Sequence, residues 1–173
     1  MKIYTRNGDK GFTYDYTGKK VNKSSNLCII MGKIDELSSY CGYARITCEK
    51  KEQDFFIEIG KILFQIMSYI GGAKNTFKNK EKVLESIVKK MEEKIDSYNI
   101  ELKSFILPFG EERETRLHIL RTKTRLLETR ISNIEEYEIF LPFINRLSDY
   151  CFALAVKYAK ESNTLQTISR ETK

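Results

Sequence analysis

Three charged residues in the second half of the chain could do chemistry together: Arg121, Arg125 and Glu128. Spaced by four and then three positions, they project from one stripe of a helix. Two guanidinium groups presented from one rigid element can grip phosphate oxygens bidentately. The carboxylate can orient an arginine or reach a metal or a hydroxyl. The same spacing also describes an ordinary solvated face. Asn145 and Asp149 repeat the four-residue interval with Arg146 between them; standing just after Pro142, they read equally as capping or exposed residues. Asp35, near the start of an apolar stripe, suits a helix N-terminus through the dipole. His118 is the single histidine. That nearly excludes a histidine-based metal site or a Ser-His-Asp triad, and the residue is expected on a helix surface.

A second candidate is the arm YTRNGDKGFTYDYTGKKVNK, residues 4–23. Gly8, Gly11 and Gly18 permit positive φ and close backbone approach, so successive N–H groups can converge on an anion. Thr5, Thr13 and Thr17 add hydroxyl donors, and Lys10, Lys19, Lys20 and Lys23 add charge. A phosphate-cradling loop needs this combination, although neither the GxxxxGK(S/T) nor the GxGxxG pattern is present. A flexible lysine-bearing tail has the same composition.

The elements that must position these groups are helical. Apolar residues recur at helical spacing along five segments: Ile34 to Ala44, Phe55 to Tyr69, Leu84 to Ile95, Leu117 to Ile131 and Ile144 to Tyr158. Gly71 and Gly72 end the second, and the two prolines, Pro108 and Pro142, precede the fourth and fifth. Strand-length runs occur only near Cys28 to Met31 and Phe105 to Leu107. The reading is all-α: one domain over residues 1–173, with a polar arm (1–26), an up-and-down bundle of five helices (27–162) and a fraying polar tail (163–173). At 173 residues, 41% hydrophobic and 31% charged, the chain can bury a core without staples. The four cysteines form no CxxC pair and read as reduced thiols. No leader pattern precedes the arm. The most apolar window, residues 55–73, is interrupted by Glu58, Lys61 and Gln65, against a membrane span. A cytoplasmic protein is expected. The net charge of +6 suits an anionic partner, but the aromatics fall on core stripes rather than interleaving with a basic face, so nucleic acid is not expected.

Four stretches, in order, resemble the PduO-type ATP:cob(I)alamin adenosyltransferases: KIYTRNGDKGFT, GKIDELSSYCGYA, FILPFG with LHILRTKTRLLE, and INRLSDYCFALA. The resemblance covers most of the chain. It implies a homotrimer of five-helix bundles with ATP between subunits, Mg²⁺ carried by ATP, and cob(I)alamin as acceptor. Carried over by position, Thr5, Arg6, Asn7 and Gly8 would form the loop's phosphate contact, continued by Thr13, Tyr14 and Lys23. Arg125 and Glu128 would contact ATP from the fourth helix and Asn145 from the fifth. The resemblance counts Arg121, Arg125 and Asp35 as catalytic, with Arg121 pairing to Asp35 across the interface. Phe105 would face the lower side of the corrin.

The chain departs from that pattern at several places. Leu126 and Thr129 replace arginines; Phe109, Gly110 and Glu111 stand for a glycine pair and a serine; Asn7 replaces a threonine and Ile29 a frequent glutamate. Two missing positive charges should weaken ATP binding unless Lys123, Arg130 or a neighbour's lysines compensate. These departures leave open an alternative: a diverged trimer that binds ATP or cobalamin without transferring between them.

Overall fold

The computed structural model describes residues 3–4, 6–102 and 104–169. Five helices account for most of the chain: α1 Asn26–Arg45, α2 Lys50–Ile70, α3 Lys80–Ser97, α4 Glu112–Ile131 and α5 Leu141–Glu161. Each apolar stripe is buried where its helix meets the others. Ile34, Leu37, Cys41 and Ala44 line the core from α1, and Leu117, Leu120, Leu127 and Ile131 from α4. α4 packs along α5 and α1, α2 packs along α1, and α3 closes over α5. This is the expected all-α five-helix architecture.

Among the described residues one helical stretch, Glu135–Glu161, is by length and composition apolar enough to cross a membrane. Its apolar window is 61% buried inside the bundle. Tyr150, Cys151, Leu154 and Tyr158 are wholly enclosed, as befits a core helix. Three of the four free cysteines are buried. Burial pushes the Cys41 thiol up to about 12 and Cys48 to about 11.

Two short antiparallel ribbons accompany the helices, and of their four strands only Phe105–Ile106 coincides with a strand-length run in the sequence, Phe105 to Leu107. β1 (Phe12–Tyr14) pairs with β2 (Lys20–Asn22) in the arm. β3 (Phe105–Ile106) pairs with β4 (Thr167–Ile168). Strands of two or three residues are too short to display a period-two pattern. β4 also corrects the fraying tail: up to residue 169 the segment after α5 is held, with Leu107 N–H donating to the Gln166 carbonyl at 2.9 Å. The run Cys28 to Met31 lies inside α1.

Candidate active site

The arm hairpin turns on Asp15. Its Oδ1 accepts from Thr17 N–H at 2.9 Å, the Thr17 hydroxyl at 2.6 Å and Lys19 N–H at 3.0 Å, an Asx turn. The Thr17 hydroxyl, foremost among these, holds the Asp15 carboxyl below the usual carboxylate range. Gly18 supplies the left-handed position at φ 82°. The hairpin then docks on the end of α2, where Tyr16 N–H donates to the Gly71 carbonyl at 2.9 Å. A Cβ on Gly71 would stand 3.0 Å from the Tyr16 ring, and one on Gly72 3.0 Å from the Thr17 methyl. Residues 12–22 are therefore a seated hairpin and not a free lysine-bearing tail.

Ahead of the hairpin, Arg6 is exposed and left-handed at φ 61°, its guanidinium 5.7 Å from the Tyr4 ring centroid. Asn7 is exposed beside it. A Cβ on Gly8 would meet the Lys23 ammonium at 2.6 Å, so that lysine lies against the loop. Thr5 falls outside the described residues. Thr13, Tyr14 and Lys23 line a cavity of about 270 Å³ with Leu27, Cys28 and Met31 of α1. The first turn of α1, capped by Ser25 accepting Cys28 N–H at 3.4 Å, offers an N-terminal dipole that favours anions.

The second cluster lies on α4 and α5. Arg121, Arg125 and Glu128 line an open hollow of about 420 Å³ together with Leu126 and Thr129. Asn145 on α5 donates to Glu128 Oε1 at 2.8 Å, so it is not a cap. Asp149 instead pairs with Arg146 at 2.6 Å. Arg121 is half-buried, with its guanidinium 5.9 Å from the Phe152 ring centroid. Burial, followed by the Arg125 charge, lowers its pKa. Its buried Nε has no hydrogen-bond acceptor among the described residues. His118, one turn earlier, is buried against Phe152 and not on the surface. Burial, then the charge of Arg121, depresses its pKa to about 4. Lys123 does not face the hollow as a spare charge: it binds Glu36 at 2.6 Å.

The two clusters share one end of the bundle. Asn26 and Ile29 of α1 face Thr129 and Arg130 of α4 across a hollow of about 250 Å³, and Thr129 also borders the arginine hollow. No single cavity described contains both the arm and the arginines. Asp35 is exposed in the middle of α1 and not at its N-terminus, because the helix already begins at Asn26, and no ion pair joins it to Arg121 among the described residues. Phe105, 63% exposed, sits on β3 where α4 starts and α5 stops. α4 is about 30 Å long at the usual helical rise, so in one chain Phe105 and the arm lie at opposite ends.

Sequence reasoning missed the contributions of Asp15, Leu27, Met31 and the Gly71 seat. Asp15 alone had a local signal, an Asp followed by Thr and Gly at turn spacing. The others depend on which helix end the arm reaches.

A helical bundle with a seated, glycine-bearing loop and a pair of guanidinium groups at one end presents N–H and cationic groups of the kind that suit a polyanion. The cobalamin adenosyltransferase family matches residues 3–158. The corrinoid adenosyltransferase of Bacillus subtilis is 37% identical over 165 residues, spanning 90% of this chain and 85% of that protein. The human corrinoid adenosyltransferase MMAB is 35% identical over 179 residues, 94% of this chain and 71% of that protein. A variant of the PduO-type ATP:corrinoid adenosyltransferase from Lactobacillus reuteri, solved with cobalamin and ATP, superimposes with a TM-score of 0.84 at 32% identity, covering 99% of this chain and all of that one. The chain belongs to the cobalamin adenosyltransferase family and is an enzyme of its PduO type, a corrinoid adenosyltransferase.

Proposed function

We propose that the enzyme transfers the 5′-deoxyadenosyl group of ATP to cob(I)alamin, giving adenosylcobalamin and inorganic triphosphate. The observation that carries this reading is the hollow that Arg121, Arg125 and Glu128 line together, with Glu128 tethered by Asn145. The Lactobacillus reuteri neighbours, solved with cobalamin and ATP or with ATP, are consistent with it. In the proposed reaction the Co(I) electron pair forms the bond to the 5′ carbon. The carbon–oxygen bond breaks, its electrons leave with triphosphate, and cobalt becomes Co(III). No protein acid, base or nucleophile is needed. The residues work by alignment and by neutralising the leaving group. Mg²⁺ would be carried by the phosphate oxygens of ATP. Phe105, exposed and apolar, would face the lower side of the corrin and exclude its lower ligand.

We further propose a homotrimer with ATP held between subunits. Arg121, which lines the open hollow and makes no ion pair among the described residues, and an exposed Asp35 support it, because a neighbouring copy would bring the two together. The separation of Phe105 from the arm within one chain also favours a composite site. The four free thiols suit a cytoplasmic setting.

An anaerobic assay with chemically reduced cob(I)alamin, ATP and Mg²⁺ tests the reading. Enzyme-dependent growth of the adenosylcobalamin spectrum with release of triphosphate is expected. Bound ATP without turnover would instead favour a diverged binder, the reading that the exposed Leu126 in the hollow supports.

A further inference from the structure

Glu114, on the first turn of α4, is wholly buried, and ordinary helix capping does not account for all its contacts. Its carboxylate accepts the Glu111 backbone N–H while the Glu111 side chain accepts in return from the N–H of Glu114. It also accepts the Ser162 hydroxyl at 3.0 Å and the Thr164 hydroxyl at 3.4 Å, and Arg113 Nε stands 3.4 Å away. A carboxylate out of water is tolerated when its oxygens are satisfied in this way.

Two stretches of backbone run from this carboxylate to Phe105. One is the loop 107–111, which turns at Gly110, φ 149°, so close that a Cβ there would sit 2.6 Å from Glu114 Oε2. The other leaves α5 through Ser162 and Thr164, whose hydroxyls are 2.9 Å apart. It continues to Gln166, bonded to Leu107, and to β4, which pairs Ile168 with Phe105. The circuit closes on itself. A ribbon with two residues per strand is not stable alone, and Phe105 is too exposed for burial to place it.

We propose that Glu114 is a positioning residue for the corrin side of the reaction: it anchors the closed circuit that sets where Phe105 is presented. This rests on the reading of Phe105 given above.

Steady-state kinetics of Glu114→Ala, Glu114→Gln and the double variant Ser162→Ala/Thr164→Val test it, with hydrogen exchange over residues 105–111 and 162–168. The expected result is a KM for cobalamin raised about tenfold, the scale of one or two lost buried hydrogen bonds. The KM for ATP should stay within about twofold, with Glu114→Gln intermediate. Exchange should rise in both segments. Equal losses for ATP and cobalamin would reduce Glu114 to a stability residue and overturn the proposal, as would unchanged kinetics and exchange. If Glu114→Ala does not fold, the double variant, which leaves the α4 cap in place, decides. Phe105→Ala is the control. Should it leave cobalamin handling unchanged, the reading of Phe105 falls, and exchange alone then decides whether Glu114 holds the ribbon.

Discussion

The Asn145 amide donates to Glu128 at 2.8 Å, and this bond joins α5 to α4 beside Arg125. Both partners lie toward solvent, so the bond contributes little to folding and much to where the carboxylate points. Asn145→Ala should change unfolding free energy by less than about 1 kcal/mol, while ATP affinity falls several-fold. Calorimetric titration beside a denaturant melt checks both. A large stability loss with unchanged affinity would count against a nucleotide role.

Arg125 is exposed and lines the arginine hollow. Arg125→Ala should weaken ATP binding by roughly 10- to 100-fold, the range for a hydrogen bond to a charged group. The melting temperature should not move. An unaltered dissociation constant would return this helix face to plain solvated surface.

Leu126 is 53% exposed in the same hollow, and Lys123, bound to Glu36, does not replace the missing charge. Leu126→Arg should therefore tighten ATP binding about two- to fivefold at low ionic strength, the gain shrinking at high salt. Titrations at two salt concentrations measure it; equal gains at both would show that charge is not the cause.

Gly72 lies at φ 103° with the Thr17 methyl against it. Gly72→Ala combines left-handed strain of about 1–2 kcal/mol with crowding against the Thr17 methyl, where the hairpin is seated. Protease cleavage within residues 12–22 should accelerate, and ATP with Mg²⁺ should protect less well than in the parent enzyme. Identical cleavage patterns would mean the seat does not hold the arm.

His118 gives the enzyme an acid sensitivity. Its folded pKa is about 4, below the ordinary value near 6.5, so the unfolded chain takes up the proton first. Stability contributed by the neutral ring is full above about pH 6.5 and lost as pH falls toward 4, a difference on the order of 3 kcal/mol. Urea melts between pH 7 and 4.5 should show a shallower decline for His118→Gln than for the parent. Parallel declines would contradict the burial argument.

The five helices were legible because each stripe, such as Ile34, Leu37, Cys41 and Ala44, repeats at helical spacing and is in fact the buried face. The hairpin was not, because Phe12–Tyr14 and Lys20–Asn22 are three residues each. They owe their pairing to Asp15 and their place to Gly71. His118 reads as a surface residue in the sequence because its burial comes from contacts with another helix, Phe152 among them. Lys123 looked available to a nucleotide, yet Glu36 on α1 had already claimed it. The tail beyond Glu161 looked polar and loose, since its partners Glu114 and Leu107 lie some fifty residues away in the chain.

Sequence alone thus determined the helical class, the order of the elements and the shared stripe of Arg121, Arg125 and Glu128, all of which depend on local periodicity and neighbour spacing. Tertiary structure decided the rest: that Asn145 reaches Glu128, that the arm is seated on α2, and that Phe105 stands at the far end of the bundle from it. The reason is physical. Helix propensity and amphipathic spacing act between residues three or four apart, whereas cavities, buried carboxylates and shifted pKa values arise only when distant segments remove water from one another.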